Sequence, residues 1–505
     1  MTALPPTAPV AVIGAGTMGA GIAQVAAAAG HPVLLFDLRA EAPAAAKAGI
    51  GKALDRVVAK GRMTEADRDA LLGRVTPVTD LAALAPAKLA IEAVLEDLAV
   101  KQAVFRDLEA VTADDAILAT NTSSLSITAI AAGLSRPANL VGMHFFNPVP
   151  LMALVEVIHG LATDPAVVET IHDTAAAWSK APVRATSTPG FIVNRVARPF
   201  YGEALRLLDE GAADPATIDA ALTGAGGFRM GPFALMDLIG HDVNYAVTCS
   251  VFDAFSGDPR YRPSLRQKAL VDAGFLGRKS GRGFYDHGEG AAPLRPALAD
   301  PAPPPAGVVI EGDLGPAQGL AQRIAESGLT SGRAEGDGTL VVEGAVLALT
   351  DGRSATQRAA DAGLKDLVLF DLALDYGTAT HIAVAAADQA APAARTAAVG
   401  LFQALGFQVL VVDDAPGLLV MRTVAMLANE GAEAVHLGVT DAPGVDTAMM
   451  KGVNYPRGPL AWADAIGPAR VLAVLDNLAA VYGEDRYRAS ALLRRRVAAG
   501  RAFHV

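Results

Sequence analysis

Near the beginning of the chain stands the stretch Val10-Ala-Val-Ile-Gly-Ala-Gly-Thr-Met-Gly19. Its first four residues form a short apolar run, as in a parallel strand that is buried on both faces. Glycines follow at once with the spacing G-x-G-x-x-G, and a helical pattern continues to Ala29. A strand, a glycine-rich turn and a helix in this order predict the first unit of a doubly wound α/β sheet.

The same turn predicts a dinucleotide site. Gly14 permits the tight turn, Gly16 lets the backbone approach a pyrophosphate, and Gly19 allows the helix to pack closely. Thr17 and Met18 begin the helix, whose amide groups and dipole attract phosphate. We therefore expect all five residues to contact the cofactor.

The end of the second predicted strand indicates which dinucleotide is bound. This strand, Val33 to Phe36, is followed by Asp37. A carboxylate there can bond both ribose hydroxyls and repels a 2′-phosphate, so NAD is favoured over NADP. Arg39 is near enough in sequence to keep NADP open.

Periodicity divides the chain into five predicted segments. Alternating strands and helices predict a Rossmann-type doubly wound sheet over residues 1–187, and the pattern from 188 to 287 is helical. A linker rich in Pro, Ala and Gly covers 288–306. Short strands over 307–411 predict a second, degenerate α/β unit without the glycine motif, so we expect no dinucleotide there. Residues 412–505 predict a second helical domain.

The second helical segment repeats the first. Pro189-Gly190 recurs as Pro416-Gly417, an offset of 417 − 190 = 227. The same offset pairs Arg195 with Arg422, Glu203 with Glu430, Asp219 with Asp446, Gly231-Pro232 with Gly458-Pro459, Asp237 with Asp464, and Gly240 with Gly467. Arg260-Tyr-Arg262 matches Arg486-Tyr-Arg488 after a slip of one residue. We therefore predict a duplicated helical domain.

Composition restricts the class of protein. Of 505 residues, 52% are hydrophobic and 19% charged, which is typical of a globular chain with several domains. The net charge of −11 disfavours nucleic acid as a partner. The single cysteine, Cys249, excludes an intrachain disulfide and fits a reducing compartment. No long apolar run predicts a membrane span, and the uncharged start lacks the basic region of a signal peptide, so we expect a cytoplasmic protein.

Polar residues follow several of the predicted strands. Ser123 lies just after the strand at 117–120, His144 ends the next strand, and Glu156 lies on the one after. Residues past the carboxyl ends of parallel strands border the ligand crevice. A histidine there can take a proton from an alcohol while a carboxylate orients its ring, and hydroxyl and amide groups can position oxygens. Taken singly, each of these residues also has an ordinary structural explanation.

Five segments together resemble the 3-hydroxyacyl-CoA dehydrogenase family. They are Ile91–Glu96, Asn121–Leu125, His144–Pro150, Val155–Val157 and Thr188–Arg195, and the resemblance runs from Val10 to Asp286. It implies NAD-dependent oxidation of a 3-hydroxyacyl-CoA.

The resemblance also implies roles for individual residues. His144 is expected to be the base and Glu156 its partner, while Ser123 and Asn194 contact the reacting oxygen and the nicotinamide side. The residues that match cofactor contacts of the family are Glu96, Lys101, Asn147 and Lys279. A family lysine that contacts coenzyme A matches Lys60, but the neighbouring family serine is replaced by Ala53. No metal is implied.

The long form of the chain resembles 3-hydroxyadipyl-CoA and 3-hydroxybutyryl-CoA dehydrogenases. We expect 3-hydroxyadipyl-CoA as substrate, in bacterial phenylacetate breakdown, with 3-hydroxybutyryl-CoA as the alternative. A terminal carboxylate on the substrate requires a cation, for which the sequence offers Arg195, Arg198, Arg229 and Arg278. A homodimer remains open.

The second half lacks the functional residues of the first. Met421 stands at the position of Asn194, and Ala498 at that of Lys279. We therefore expect the second helical copy to be structural and to pack on the first as a pseudo-dimer. Three alternatives remain: a 2-hydroxyacid or sugar-acid dehydrogenase, a non-catalytic protein that uses the fold, and a second half that binds a partner enzyme.

Overall fold

The chain forms two compact units in the computed structural model, which describes residues 3–504. The first unit runs up to Arg195 and also includes Leu437–Val453. The second comprises Val196–His436 and resumes at Asn454. The first two residues of the uncharged N-terminal start and the last residue of the final predicted segment lie outside the described part.

An eight-stranded sheet forms the centre of the first unit. Its strands are β1 (Val10–Ile13), β2 (Val33–Phe36), β3 (Val75–Val78), β4 (Leu89–Glu92), β5 (Ile117–Thr120), β6 (Leu140–Phe145), β7 (Leu154–His159) and β8 (Ala181–Thr186). Their order is β3-β2-β1-β4-β5-β6-β7-β8, and neighbouring strands are parallel except β6 and β7. The predicted Rossmann-type sheet is confirmed. The antiparallel pair matters for the site because it sets His144 opposite Glu156.

Helices cover this sheet and close its apolar core. They are α1 (Thr17–Ala28), α2 (Ala42–Ala59), α3 (Glu65–Arg74), α4 (Leu98–Val111), α5 (Ile127–Ala131), α6 (Pro165–Ala177) and α7 (Val193–Val196). The strands are mostly continuous apolar runs because both of their faces are buried, as for Val10–Ile13. Asp97 begins α4 and Asp164 begins α6, each by accepting a backbone hydrogen bond in the first turn.

The second unit begins with the helices of the first predicted helical domain. These are α8 (Arg198–Asp209), α9 (Pro215–Gly224), α10 (Pro232–Ile239), α11 (His241–Ala254) and α12 (Leu265–Asp272). A second sheet follows, with β9 (Gly307–Glu311), β10 (Thr330–Ala334), β11 (Thr339–Val342), β12 (Ala345–Leu349), β13 (Leu367–Phe370), β14 (His381–Ala386) and β15 (Gln408–Val411). Its strand order is β10-β9-β11-β12-β13-β14-β15, with parallel and antiparallel pairs mixed.

The remaining helices complete the two units. Those of the second sheet are α13 (Gly319–Glu326), α14 (Ala355–Ala362) and α15 (Pro392–Ala404). The second helical copy contains α16 (Val420–His436), α17 (Ala442–Gly452), α18 (Pro459–Ile466), α19 (Pro468–Tyr482) and α20 (Ala491–Ala498). Short 3-10 helices lie at Leu81–Leu84, Pro137–Asn139, Pro259–Tyr261, Arg278–Ser280, Gly315–Ala317 and Asp485–Tyr487. Of the second copy, α17 belongs to the first unit, where it packs on β7 and β8.

The internal repeat is visible in the backbone. Gly190 and Gly417 have φ angles of 73° and 76°, and the residues that follow them, Phe191 and Leu418, have φ angles of 46° and 52°. Positive φ is unusual for a bulky side chain, so its recurrence at the same offset is strong evidence that the two turns share one ancestry.

Each helical copy also contacts the sheet of the other copy by an equivalent hydrogen bond. The Thr186 amide, at the end of β8 in the first sheet, donates to the Val439 carbonyl at 2.9 Å. The Asp413 amide, after β15 of the second sheet, donates to the Ala212 carbonyl at 3.0 Å. Both offsets equal 227, since 413 − 186 and 439 − 212 give the same number. Such an exchange of identical contacts is the property of an isologous interface.

A helix that spans a membrane must be both long and apolar. Within residues 3–504 no single helix meets both criteria. The pair α18 and α19 meets them only jointly, with a bend of 98° at the break.

Candidate active site

The glycine-rich turn between β1 and α1 has the geometry that its sequence predicts. Gly14 has a φ of 103°, and a Cβ there would lie 2.5 Å from the Ala93 carbonyl oxygen. A Cβ on Gly19 would lie 1.8 Å from the Gly14 carbonyl oxygen. A Cβ on Gly16 would meet nothing within 4 Å. The turn is therefore closed on the protein side and open at Gly16, next to the N-terminal amides of α1, which fits a bound pyrophosphate.

Asp37 borders a cavity of ≈ 600 Å³ beside this turn. Its carboxylate accepts hydrogen bonds from the amides of Ala15 at 2.8 Å and Arg39 at 3.0 Å. Burial alone would raise the pKa of Asp37, but these hydrogen bonds and the Arg39 guanidinium hold it below its ordinary value. The cavity is otherwise mainly apolar, as Leu38 and Val94 illustrate, which suits a nucleoside with a carboxylate at its ribose.

A buried ionic network connects β4 to the loop that follows β5. Lys101 on α4 donates to Glu92 at 2.6 Å and lies 3.3 Å from Glu96. Glu96 in turn accepts from the amide of Ser123 at 2.8 Å and from its hydroxyl at 3.3 Å. Burial alone would raise the pKa of Glu96, but the Thr122 hydroxyl and Lys101 hold it below its ordinary value. The loop with Ser123 is thus fixed from beneath by charge-assisted hydrogen bonds.

His144 and Glu156 form a second buried titratable pair at this edge of the sheet. Their antiparallel register brings the imidazole Nδ1 within 2.6 Å of the Glu156 carboxylate. Glu156 is fully buried, and His144 is 6% exposed. The other carboxylate oxygen of Glu156 accepts from the amides of Ile192 and Val193, each at 3.0 Å. The carboxylate therefore links the imidazole to the first residues of α7.

The same helix places Asn194 beside the β5 loop. Its side-chain Nδ2 donates to the Ser123 carbonyl oxygen at 3.3 Å. Ser123, His144, Glu156 and Asn194 are thus joined, directly or through α7 and the β5 loop, around one edge of the sheet. Asn147 follows His144 in the next loop, where the Asn147–Pro148 peptide bond is cis.

Two further expected residues, Lys60 and Lys279, lie on other elements. Lys60 is exposed at the end of α2, and no hydrogen bond or ion pair within residues 3–504 joins it to the other site residues. Lys279 belongs to the second unit, where it lies in a 3-10 helix and forms an ion pair with Asp242 at 2.5 Å.

Sequence reasoning missed two residues that support the site. Glu92 is fully buried and accepts hydrogen bonds from Lys101 and the Thr120 hydroxyl. Lys180 donates to the carbonyls of Val149 and Met152 and so secures the loop after His144. A charged residue at the end of the apolar strand β4 was the available signal for Glu92. For Lys180, which follows α6, the sequence carries no such signal.

The second copy replaces the histidine–glutamate pair by a single aspartate. At the offset of 227, Asp371 corresponds to His144 and Ala383 to Glu156, and Asp371 bonds the backbone of Ala383 across the sheet. The Asp371 carboxylate accepts from the amides of Leu419 and Val420 at 2.9 and 2.7 Å. These two residues correspond to Ile192 and Val193. Asp371 therefore keeps the contact with the helix N-terminus that Glu156 makes, but without any imidazole.

Family comparisons agree with this architecture. A 3-hydroxyacyl-CoA dehydrogenase NAD-binding domain model matches residues 9–188. The model of the C-terminal domain of 3-hydroxyacyl-CoA dehydrogenase matches twice, at 190–287 and 417–503, which confirms the internal repeat. A 3-hydroxybutyryl-CoA dehydrogenase reduced Rossmann-fold domain model matches 347–416.

Individual relatives cover either the whole chain or its first half. The 3-hydroxyadipyl-CoA dehydrogenase of Escherichia coli (strain K12) is 46% identical over 490 residues, which are 96% of this chain and 97% of that protein. A crystal structure of 3-hydroxybutyryl-CoA dehydrogenase from Escherichia coli K12 superposes with a TM-score of 0.89 at 44% identity and 98% coverage of each chain. A probable 3-hydroxybutyryl-CoA dehydrogenase of Deinococcus radiodurans is 42% identical over 276 residues, 55% of this chain and 99% of that protein. The cofactor is NAD, and the chain belongs to the 3-hydroxyacyl-CoA dehydrogenase family.

Proposed function

We propose that this enzyme oxidises (S)-3-hydroxyadipyl-CoA to 3-oxoadipyl-CoA, with His144 as the general base. The observation that carries the chemistry is the 2.6 Å contact between His144 Nδ1 and the buried Glu156. Because Nδ1 is occupied, Nε2 is the ring nitrogen that remains for the substrate. When bound, NAD accepts the hydride that leaves C3 of the substrate.

The proton of the 3-hydroxyl goes to His144 Nε2 in this proposal. The imidazole becomes positively charged, and the carboxylate of Glu156 stabilises that charge at close range in a buried site. Two amide donors, from Ile192 and Val193, hold the carboxylate of Glu156 in place. Glu156 is therefore a positioning residue, and His144 is the group that contacts the substrate.

Ser123 and Asn194 are proposed to orient the reacting oxygen. Their mutual contact and the anchoring of Ser123 on Glu96 keep hydroxyl and amide donors at the sheet edge next to His144. Preorganised donors of this kind stabilise charge that develops on oxygen during the reaction.

The cofactor contacts are proposed from the geometry of the turn. Gly14, Gly16, Thr17, Met18 and Gly19 would hold the pyrophosphate at the N-terminus of α1. Asp37 would bond the ribose hydroxyls, as its position at the end of β2 and its depressed pKa favour. Roles for Glu96, Lys101, Asn147 and Lys279 toward NAD, and for Lys60 toward coenzyme A, rest on the family resemblance alone.

The acyl chain is proposed from the full-length relative. The Escherichia coli protein that shares 46% identity over 96% of this chain is named 3-hydroxyadipyl-CoA dehydrogenase. Relatives named 3-hydroxybutyryl-CoA dehydrogenase support the shorter substrate as second candidate. Of the four arginines considered for a terminal carboxylate, Arg229 and Arg278 are exposed, while Arg195 and Arg198 are buried. The terminal carboxylate of the adipyl chain would need one of these four arginines as its partner.

Competing turnover of the two substrates tests this proposal. NADH formation is measured with (S)-3-hydroxyadipyl-CoA and (S)-3-hydroxybutyryl-CoA, and kcat/KM is compared. We expect a preference of about tenfold or more for the adipyl substrate, which Arg229→Gln or Arg278→Gln lowers without affecting the butyryl substrate. A preference for the butyryl substrate would favour the second candidate, and absence of turnover with both would contradict the proposal.

The biological setting is proposed from the same reasoning. An adipyl substrate would assign the enzyme to phenylacetate catabolism in the cytoplasm, as a homodimer or as a monomer with an internal pseudo-dimer. The division at residues 187, 287, 306 and 411 is likewise proposed as the domain organisation.

A further inference from the structure

A cavity lined by arginines lies within the second unit. Its volume is ≈ 370 Å³, and its walls come from α8, α11, α12, α16 and the segment before α20. The arginines in the lining are Arg198, Arg206, Arg260, Arg262 and Arg486. We call this feature the arginine cavity.

The lining contains fewer carboxylates than guanidinium groups. They belong to Glu203, Asp209 and Glu210. Arginines outside the lining already bind all three. Arg422 donates to Glu203 at 2.8 Å and to Glu210 at 2.9 Å, and Arg266 pairs with Asp209 at 2.5 Å. Carboxylates outside the lining pair in turn with two of its arginines, Glu484 with Arg206 and Glu430 with Arg260, so the arginine cavity and these partners keep an excess of two positive charges.

Three of the arginines, Arg206, Arg260 and Arg486, have an Nε–H donor left over among the described residues, and the last two are buried. Arg260 and Arg486 are 6% and 7% exposed, and the Nε–H of each has no hydrogen-bond acceptor within residues 3–504. Their other ends bind Glu430 and Glu203, respectively. Buried donors of this type normally have an acceptor in the protein, an ordered water or a ligand. Arg262 adds an exposed guanidinium for which the described residues provide no ion pair.

The repeat explains why the cavity exists in the first helical copy. Gly202 on α8 corresponds to Asn429 on α16, since 429 − 202 = 227. In the second copy the Asn429 side chain fills the equivalent space and bonds the Arg488 carbonyl and the Ser490 amide. The first copy has no side chain there, and the nearest atom to a Cβ on Gly202 would be Arg486 Nη1 at 3.5 Å.

We propose that the arginine cavity binds a small multivalent oxyanion of the phosphate or polycarboxylate class. Guanidinium groups present several N–H donors in a planar fork, which matches carboxylate and phosphate oxygens. Because Arg260 belongs to the first copy and Arg486 to the second, a ligand shared between them strengthens the contact of the two helical copies. The site therefore stabilises the fold and does not take part in hydride transfer.

Calorimetric titration of the full-length protein tests the proposal. Saturating NADH is present so that the N-terminus of α1 is not available to the probe. Inorganic phosphate and citrate are titrated separately, against sodium chloride at equal ionic strength. We expect the titration to show one site per chain. Thermal unfolding with saturating anion should show a Tm that is higher by about 2 °C or more. A larger effect of phosphate identifies a phosphate ligand, and a larger effect of citrate identifies a polycarboxylate.

Three variants locate the binding. Gly202→Asn fills the cavity as Asn429 does and is expected to abolish binding. Arg262→Gln, at an exposed position, is expected to weaken it about tenfold. Arg333→Gln removes an exposed arginine on β10 and is the matched control. All three should retain NAD-dependent turnover. The proposal is overturned if neither anion binds more than chloride does, or if Arg262→Gln binds as tightly as the wild type and the Arg333→Gln control do.

Discussion

Glu156 determines what His144 can do, because its carboxylate holds the imidazole through Nδ1. Replacing its carboxylate by an amide keeps the volume but removes the negative charge that stabilises the imidazolium. We expect Glu156→Gln to lower kcat by about 10²-fold or more while the Kd for NAD changes little. Glu169→Gln, which breaks an exposed pair with Arg184, is the matched control and should leave kcat unchanged. A Glu156→Gln enzyme with wild-type kcat would contradict this role.

Asp37 is the residue that should set the choice of dinucleotide. Its carboxylate lies at the end of β2, where ribose hydroxyls would bind. Asp37→Ala is expected to raise the KM for NAD by roughly 10- to 100-fold, since about 1–3 kcal/mol of hydrogen bonding is lost. The KM for NADP should rise less, because the repulsion of a 2′-phosphate disappears as well. Asp107→Ala, at the rim of the same cavity, serves as the control. Equal changes for both dinucleotides would exclude the assignment.

At the scale of elements, the two sheets bind the start of a following helix with different residues. Each sheet provides a buried carboxylate that accepts hydrogen bonds from amides at the start of a following helix, Glu156 for α7 and Asp371 for α16. The first carboxylate also binds an imidazole, and the second does not. The aspartate at the histidine position thus makes the contact with the helix, although the glutamate position holds Ala383.

This difference predicts a measurable titration in the second sheet. Burial raises the pKa of Asp371 to about 6, against the opposing effect of the amides at the start of α16. In the unfolded chain an aspartate ionises near pH 4, so between about pH 4 and 6 the folded protein holds a proton that the unfolded chain has released. The contribution of Asp371 to the free energy of unfolding therefore falls as the pH rises through this window.

Asp371→Asn isolates that titration because the asparagine carries no charge. The difference in unfolding free energy, wild type minus variant, should decrease by roughly 3 kcal/mol between pH 4 and 7, as measured by urea denaturation. Asp219, whose pKa burial also raises to about 6, is present in both proteins and cancels. A difference that stays constant or grows with pH would be inconsistent with this behaviour.

For the whole molecule, the two helical copies are joined by equivalent buried contacts. Glu203 of the first copy accepts from Arg486 and Tyr487 of the second, at 3.4 and 2.9 Å. Glu430 of the second accepts from Arg260 and Tyr261 of the first, at 3.2 and 2.6 Å. These reciprocal pairs are what a symmetric dimer interface contains, here within one chain.

Removal of one buried partner tests how much these contacts matter. Burial alone would raise the pKa of Glu203, but Arg422 and Arg486 hold it below its ordinary value, so it is ionised in the fold. Glu203→Gln leaves the guanidinium of Arg422 buried with less compensation, and we expect a loss of about 3–5 kcal/mol in unfolding free energy. The exposed pair of Glu169 and Arg184 is again the control, since Glu169→Gln should lower the unfolding free energy by less than about 1 kcal/mol. Equal losses in the two variants would show that the interface is held by other contacts.

Local patterns predicted much of this molecule. The strands of the first sheet that are apolar runs, the glycine turn and the repeat all follow from residues close in sequence. Strand β3 was missed because Pro77 interrupts it, and the antiparallel direction of β7 because pairing depends on distant contacts. In the second sheet, β10 is exposed along its length and carries no apolar signal.

The site was predictable to a similar degree. His144, Glu156, Ser123 and Asn194 lie in recognisable segments, and the structure joins them. Glu92 was missed because its partner Lys101 lies on another element, which no local pattern reveals. The substitution of Asp371 for His144 could have been found, because the offset of the repeat already related the two positions.

The most direct test of the account is NADH formation by the wild type and by His144→Gln, with the same (S)-3-hydroxyacyl-CoA and saturating NAD. Glutamine can keep a polar contact with Glu156 but cannot take up a proton. The account predicts that kcat falls by about 10²–10⁴-fold while the Kd for NADH stays within about twofold of the wild type. A variant that keeps wild-type kcat would contradict the assignment of His144 as the base.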